Sequence, residues 1–453
     1  LGAIRTALSQ QTSPSHATLV ALSADDSGRM SLSGLSGHDG SLLWRRALGL
    51  YQVSGVVADG QVYIAGDILP YSAQPTDTTR PVVMALRLSD GAPLWQEPLP
   101  GLQPLSGLLV AGDLLIATVY TSVSPPTFQL VAVNRASHTL AWRVTPTSLP
   151  AVYDMHALAT GDGMLFLGSQ DGVARALRLS DGSPAWSERI SPPATAAQPV
   201  ISLGMVARGD TLIAYDTTGE VVSLRLRDGA TRWGRQVITA PFGGPGEHLA
   251  LTGAGLYLCG VDAVNHERAL VLLDPLTGVL RWSRGAACGM SLPIESGGYV
   301  YTLDSTLLTA LRVSDGALVW RGQPEEADLS YTTLQSDGGV IFAATTIANY
   351  RSFSVCGQWF PPGINLCHST QYVAAFDSAT GARYWRTADS YIGLLGAAAP
   401  TPSPSPALRE REPARAVRSW RLTISADRPA AADSRVARAP AGSCSGADWP
   451  LPG

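Results

Sequence analysis

Eight tryptophans that recur in one context constrain this chain more than any other feature. They are Trp44, Trp95, Trp142, Trp186, Trp233, Trp282, Trp320 and Trp385, separated by 51, 47, 44, 47, 49, 38 and 65 residues. Glycine stands four positions before seven of them, at Gly40, Gly91, Gly182, Gly229, Gly278, Gly316 and Gly381, and His138 takes that place in the third unit. Ten positions before the tryptophan the residue is small (Gly34, Ala85, Ala132, Ala176, Ser223, Ala310, Ala375), except for Leu272. The next residue is apolar in every unit: Leu35, Leu86, Val133, Leu177, Leu224, Leu273, Leu311 and Phe376. Columns held in phase eight times identify an internal repeat, the first thing to establish because it decides the architecture.

Each unit reads as strands. Leu86-Arg87-Leu88 and Leu177-Arg178-Leu179 alternate apolar and polar residues, the period of a strand with two unlike faces. Asp90-Gly91, Asp181-Gly182, Asp228-Gly229 and Asp315-Gly316 follow at once, and Asp-Gly suits the positive φ angles of a tight turn between antiparallel strands. Upstream lies a second hairpin signal, as in Val56–Ile64 around Asp59-Gly60 and Leu108–Ile116 around Gly112-Asp113. Four short strands per unit with frequent turns mark an all-β chain, and no segment shows a sustained helical period. A small sheet cannot bury both faces alone, but eight sheets stacked radially cover one another, and ring closure hides the ends. The expected fold is therefore an all-β, eight-bladed β-propeller of four-stranded antiparallel blades. An indole burying about 200 Å² contributes roughly 5 kcal/mol as an upper estimate. Each tryptophan is expected to wedge between blades over the neighbouring turn glycine, the small residue ten before leaving room. Leu272 then implies a locally adjusted contact.

The expected organisation is an N-terminal segment (1–17), the propeller (18–397), and a Pro-rich linker with an Arg-, Ala- and Pro-rich tail (398–453) that reads as disordered or as frame-shifted sequence. Residues 391–396 are expected to close the ring on 18–23, with Ile4–Leu8 as the alternative. The chain opens on Leu1 and not on Met, so it reads as processed or truncated, and an export signal stays open.

Composition excludes several chemistries. All 32 basic residues are arginine, which removes a Schiff-base lysine and a Walker-type phosphate lysine. A net charge of −4 argues against a dedicated nucleic-acid binder. No apolar run of transmembrane length is present. The seven histidines (His16, His38, His138, His156, His248, His266, His368) never stand four apart, and the pairs Asp25-Asp26 and Glu325-Glu326 lie in polar turns. Gly243-Gly244-Pro245-Gly246 opens no helix, so a phosphate cradle is not expected there. Cys356 and Cys367 flank a long insertion and are expected to close it as a disulfide, while Cys259 and Cys288 are a second candidate pair and Cys444 is left over. Without Cys-x-x-Cys or accompanying His spacing, zinc is not expected. Disulfides favour an extracytoplasmic location.

Ala-Leu-x-x-x-Asp-Gly-x-x-x-Trp, best seen in Ala85-Leu86…Gly91…Trp95, Ala176-Leu177…Gly182…Trp186 and Ala310-Leu311…Gly316…Trp320, resembles the tryptophan-docking repeat of pyrroloquinoline-quinone-like propellers. Leu273-Asp274…Gly278…Trp282 and Phe376-Asp377…Gly381…Trp385 show its Asp…Thr-Gly variant. That resemblance implies the fold and leaves activity open. The family holds quinoprotein dehydrogenases, cofactor-free scaffolds of the bacterial outer-membrane barrel-assembly machinery, and extracytoplasmic sensor domains. The expected function is a non-enzymatic binding or scaffold module, monomeric, without cofactor, taking a protein or small-molecule ligand at a face or in the funnel. The alternatives are a dehydrogenase using pyrroloquinoline quinone (PQQ) and calcium, and a sensor domain. No residue matches a family catalytic position, and the adjacent cysteines of the alcohol-oxidising branch are missing. The longest inserts, Asp67–Arg80, Ser122–Thr127 and Arg351–His368, are where a partner is expected, with Tyr350, Trp359 and Phe360 as anchors or as self-packing of the loop. The arginines eight before the tryptophan (Arg87, Arg178, Arg225, Arg312) read either as the polar face of a strand paired with nearby acids or as a ring reaching an anion.

Overall fold

The computed structural model of the protein describes residues 12–398, except 26–28, 69–80, 100–102, 124–125, 146–156, 169–170, 192–202, 217, 242–248, 263–266, 286–291, 304–306, 324–328, 348–370, 388–390 and 392. The closure alternative at Ile4–Leu8, the tail, the Cys356–Cys367 loop and the aromatic trio Tyr350, Trp359 and Phe360 lie outside the described residues. So do Asp26, Glu325-Glu326, the 243–246 glycines, Cys288, Cys444 and His156, His248, His266 and His368. By its internal contacts the chain divides at Leu422, and the second unit, Thr423–Gly453, also lies outside them.

Among the described residues the strands form eight antiparallel blades. The first holds, from the axis outward, Gly393–Ala398, Thr18–Ala24, Met30–Ser36 and the first half of Leu42–Ala58. That long strand then crosses inward and becomes the innermost strand of blade 2, followed by Gln61–Asp67, Val82–Arg87 and Pro93–Pro98. Blade 3 runs Gln103–Ala111, Leu114–Val123, Pro126–Asn134, Leu140–Val144, and blade 4 runs Ala157–Gly161, Met164–Gly168, Val173–Arg178, Pro184–Arg189. Blade 5 is Leu203–Arg208, Thr211–Asp216, Glu220–Arg225, Thr231–Gln236. Blade 6 is Leu249–Leu251, Leu256–Asp262, Arg268–Leu273, Leu280–Arg284, with Ile238–Pro241 pairing on its second strand. Blade 7 is Ile294–Ser296, Tyr299–Leu303, Leu308–Arg312, Leu318–Gly322, and blade 8 is Leu329–Asp337, Val340–Ile347, Val373–Asp377, Arg383–Arg386.

The sequence explains the gradient across a blade. Second strands such as Thr211–Asp216 are buried along their whole length, because neighbouring blades cover both faces, and they read as continuous apolar runs. Outermost strands such as Pro184–Arg189 alternate between exposed and half-buried positions. The ring closes where Gly393–Ala398 pairs antiparallel with Thr18–Ala24, through a bulge at Val20/Ala21. Leu394 joins Leu19, Phe342 and Trp385 in one buried cluster. The innermost strand of blade 8 in turn lies against Gly393–Ala398. Residues 13–17 tie the same seam: Ser13 Oγ donates to Gly37 O (2.6 Å), Ser15 Oγ donates to Asp337 Oδ2 in blade 8 (2.7 Å), and Gly37 N donates to Ala17 O (2.8 Å).

Two kinds of turn share one face of the propeller. Between first and second strands, Asp59-Gly60, Asp162-Gly163, Gly297-Gly298 and Gly338-Gly339 have positive φ at both positions, the two-residue hairpin geometry. Between third and fourth strands the Asp-Gly pairs behave differently. Here only the glycine is left-handed, with φ +66° at Gly91, and it donates to the carbonyl four residues back (Gly91 N to Arg87 O, 2.8 Å). The aspartate accepts a turn N–H instead of adopting positive φ: Ala92 N to Asp90 Oδ1, 3.0 Å. Asp-Gly is thus read correctly as a turn, but the aspartate serves there as an Asx cap.

Candidate functional site

Seven of the eight tryptophans dock on the next blade through the same hydrogen bond. Trp44 Nε1 donates to Leu88 O of blade 2 (2.8 Å), Trp142 to Leu179 O (2.7 Å), Trp186 to Leu226 O (2.8 Å) and Trp233 to Pro275 O (3.1 Å). Trp282 donates to Val313 O (2.8 Å), Trp320 to Ser378 O (2.9 Å) and, across the closing seam, Trp385 to Gly37 O (3.1 Å). The acceptor is each time the carbonyl seven residues before the next blade's own tryptophan. Under the six-membered ring lies the next blade's turn glycine. A Cβ on Gly40, Gly91, Gly182, Gly229, Gly278, Gly316 or Gly381 would stand 2.5–2.8 Å from the indole, and each of these glycines has φ between +66° and +73°. The indole and the turn conformation therefore demand glycine independently.

The third unit solves the problem differently. His138 adopts φ +61°, and its ring stacks on Trp95 with centroids 4.7 Å apart and planes 21° apart. At the same seam Arg135 reaches back into blade 2. Its Nε donates to Tyr63 Oη (2.9 Å), and its guanidinium pairs with Asp59 (2.6 Å) and donates to Gly112 O (2.8 Å).

The small residue ten before each tryptophan faces its own blade's indole. Ala85 pairs across strands with Trp95, Ala176 with Trp186, and Ala310 with Trp320. On its other side stands an aromatic of the second strand, with ring contacts Tyr63–Trp95, Phe166–Trp186, Tyr257–Trp282, Tyr301–Trp320 and Phe342–Trp385. Two large rings flank one small residue on four of these sheets, and Leu272 stands between the rings of the blade 6 sheet. Sequence reasoning missed this aromatic column, although five of eight units carry it. Leu272 is accommodated between Tyr257 and Trp282, both buried with it in one cluster, and the docking bond of Trp282 is as short as the others. The extra room comes from Gly255, where a Cβ would stand 2.9 Å from Leu272 Cδ1. Tyr301 Oη also donates to Ser378 O (2.8 Å), sharing the acceptor of Trp320, and burial pushes this phenol up to about 12.

The arginines eight before the tryptophan do not form a free ring. Arg87, Arg225 and Arg312 pair with the aspartates of their own turns at 2.8, 2.8 and 2.9 Å. Arg178 donates to Pro184 O at 2.7 Å.

The opposite face carries the connections between second and third strands and between blades. Its described part is stiffened by buried polar groups. Asp216, fully buried, accepts from Thr218 N (2.9 Å), Thr218 Oγ1 (2.6 Å), Glu220 N (3.0 Å) and, from the link leaving blade 4, Ser191 Oγ. Asp171 accepts from Val173 N (3.0 Å) and pairs with Arg175. Burial, and then the Asp216 carboxylate beside it, raises the Glu220 carboxyl. Cys259, buried in the second strand of blade 6, is disulfide-bonded. Among the described residues no three His, Cys, Asp or Glu side chains gather as a metal site, and no helix is long and apolar enough to cross a membrane.

Charge separates with radius. The third and fourth strands of the blades, with their turns, hold 19 arginines against 10 acids, a net of +9. The other described residues hold 2 arginines against 12 acids, a net of −10. The connections and inner strands are therefore negative and the outer wall positive.

Comparison with known proteins places this architecture. The model of the family described as "Outer membrane protein assembly factor BamB" matches residues 79–322 and 265–441. The BamB of Xanthomonas campestris is 27% identical over 203 residues, 43% of this chain and 47% of that protein. The BamB of Moranella endobia is 23% identical over 346 residues, 69% of this chain and 77% of that protein. The match thus spans about half the length of the first relative and three quarters of the second. The crystal structure of BamB from Moraxella catarrhalis superposes with a TM-score of 0.52 at 17% identity, over 72% of this chain and 96% of that one. A europium-containing methanol dehydrogenase shares the fold at a TM-score of 0.50 and 11% identity, over 72% of this chain and 80% of that one.

Proposed function

Because the chain belongs to the family of the outer membrane protein assembly factor BamB, we propose that it is a non-enzymatic, extracytoplasmic scaffold that binds proteins during outer-membrane assembly. The observation that carries this reading is where the family match falls. It runs through the docking ring itself and takes in seven of the eight tryptophans, from Trp95 to Trp385. The likeness to the methanol dehydrogenase is one of fold, and fold alone does not transfer activity.

A scaffold needs a rigid body and an adaptable rim. Short hairpins and docked indoles supply the rigid body. The opposite face supplies the rim, where Ser191 and Asp216 tie the link leaving blade 4 to blade 5. The second-to-third-strand connections there carry Asp25, Asp67, Asp171, Asp216 and Glu267 with Arg29, and that negative charge favours a partner segment with net positive charge, steered in by the field and weakened by salt. Deleting the gene in its host tests the reading. The amount of β-barrel protein in the outer membrane should fall, and a copy with Trp385→Ala, which opens the closing seam, should not restore it. Unchanged β-barrel levels would overturn the scaffold role. Turnover of alcohols by the purified protein given the quinone and Ca²⁺ would install the dehydrogenase instead.

A further inference from the structure

The positive charge of the outer wall is unevenly spread. On the outer hairpins of blades 5, 6, 7, 8 and 1 there are 13 arginines against 6 acids, a net of +7 with the turn aspartates included. On blades 2, 3 and 4 there are 6 arginines against 4 acids, a net of +2. The outermost strands sharpen the contrast. Those of the five-blade arc carry nine arginines and no acid, while blades 2 and 4 place Glu97 and Glu188 on theirs. Arg46, Arg284 and Arg321 are exposed on this arc.

The same wall exposes apolar side chains. Leu276 and Leu280 of blade 6 are 60% and 51% exposed, and Leu318 of the adjacent blade 7 is 53% exposed. Eight of the nine large hydrophobic residues exposed among the described residues stand on outer hairpins. Cations interleaved with single protruding aliphatics suit a bilayer interface, where guanidinium groups meet headgroup phosphates and short apolar chains enter the acyl boundary. An acidic polypeptide would satisfy the arginines but gives scattered leucines nothing to fill. Protein interfaces concentrate their binding in well-packed central pockets. The wall is also convex, so a flat surface touches it along adjacent blades.

We propose that the outer wall at blades 6 and 7 is a docking surface for an anionic phospholipid bilayer, held edge-on by Arg284 and Arg321 with Leu276, Leu280 and Leu318. The flanking arginines of blades 5 and 8 add attraction within about one Debye length. The proposal goes beyond the scaffold reading and does not depend on it.

The test uses the purified full chain and sedimentation with two kinds of vesicle, phosphatidylcholine alone and a three-to-one mixture with phosphatidylglycerol. Binding should require phosphatidylglycerol and weaken with salt. Each of Arg284→Gln and Arg321→Gln should lower affinity about fivefold, the loss expected for one interfacial cation. Leu280→Ser with Leu318→Ser should lower it further and reduce the burial of a fluorophore placed at Leu276→Cys. Arg143→Gln with Leu140→Ser, on blade 3, should leave binding unchanged. Melting curves check that every variant is folded. Equal binding to both vesicles, or equal loss from the blade 3 variant, would overturn the proposal. So would arginine-dependent binding to polyglutamate with none to vesicles, which would assign the wall to an acidic protein instead.

Discussion

Replacing Gly91 by alanine isolates the energy of one indole seat. Two penalties meet at this position. The backbone is left-handed at φ +66°, and a Cβ would stand 2.5 Å from Trp44 Cε3. Gly112 carries the first penalty without the second, since φ is +58° and nothing lies within 4 Å. A Cβ in the left-handed region costs about 1–2 kcal/mol, offset by about 0.4–1 kcal/mol because alanine restricts the unfolded chain. Gly112→Ala should therefore cost about 1 kcal/mol or less. At Gly91 the indole must also move. Trp44 is only 8% exposed and is held by its bond to Leu88 O, and overpacking such a site adds about 1–3 kcal/mol. Gly91→Ala should thus exceed Gly112→Ala by about 2 kcal/mol, read as a difference in urea midpoint at constant m. The decisive arm repeats both substitutions in a Trp44→Leu background. With the indole gone, the cost at Gly91 should fall to that at Gly112, a coupling of about 2 kcal/mol. Equal costs in the native background, or a cost at Gly91 that ignores the loss of Trp44, would refute the idea that the seat explains the glycine.

Acid should loosen the turns together. Turn N–H donors hold Asp90 and Asp315 below the ordinary carboxylate value of 3.8, and arginine partners do the same for Asp228 and Asp274. Carboxyls lowered in the fold stabilise it above their unfolded value, and that stability is lost as pH falls through the lowered values. The midpoint in urea should be flat above about pH 5 and fall below about pH 4, and Asp274→Asn, which copies the Asn134 turn of blade 3, should make that fall shallower. Asp216→Asn should cost about 1–3 kcal/mol, since one acceptor becomes a donor among buried donors, with Ser191→Ala costing less; chemical denaturation of the two variants checks the order.

The docking ring is legible in the sequence because its constraints are local and severe. A turn glycine with an indole above it has no substitute among L-residues except by rebuilding the seam, and His138 with Arg135 shows what rebuilding takes: a stacked ring in place of a bare Cα, and a guanidinium clasp to Tyr63 and Asp59 beside it. The column ten before the tryptophan is equally visible, yet its partner is not. The small residue lies across strands from its own tryptophan, and the aromatic on its far side belongs to a strand whose distance upstream varies from 9 residues (Tyr301 to Ala310) to 33 (Phe342 to Ala375). Strand register is what joins Tyr63, Ala85 and Trp95 into one row, and a composition column carries no register. The Leu272 exception shows the same limit. Its tolerance depends on Gly255, in the turn between the first two strands of the same blade, whose spacing from that column changes from unit to unit.

The charge pattern was hidden for a different reason. Along the chain, acids and arginines nearly cancel, and within each repeat they alternate over a few residues. Only when the third and fourth strands are known to lie outermost does the near-neutral total resolve into a positive wall around a negative interior. That ordering follows from closure: Gly393–Ala398 and Thr18–Ala24 fix which strand of each blade faces the axis. A propeller repeat can therefore write two surfaces of opposite sign into one motif by its position within the unit, and the arc of blades 5 to 1 departs from blades 2 to 4 by a handful of residues on the outermost strands. Glu97→Arg with Glu188→Arg, two residues beyond Trp95 and Trp186, would extend the arc toward a full girdle. If lipid binding belongs to the wall at blades 6 and 7, that variant should bind anionic vesicles about as tightly as the native chain, and a clear gain would tie binding to the net charge of all the outer strands instead.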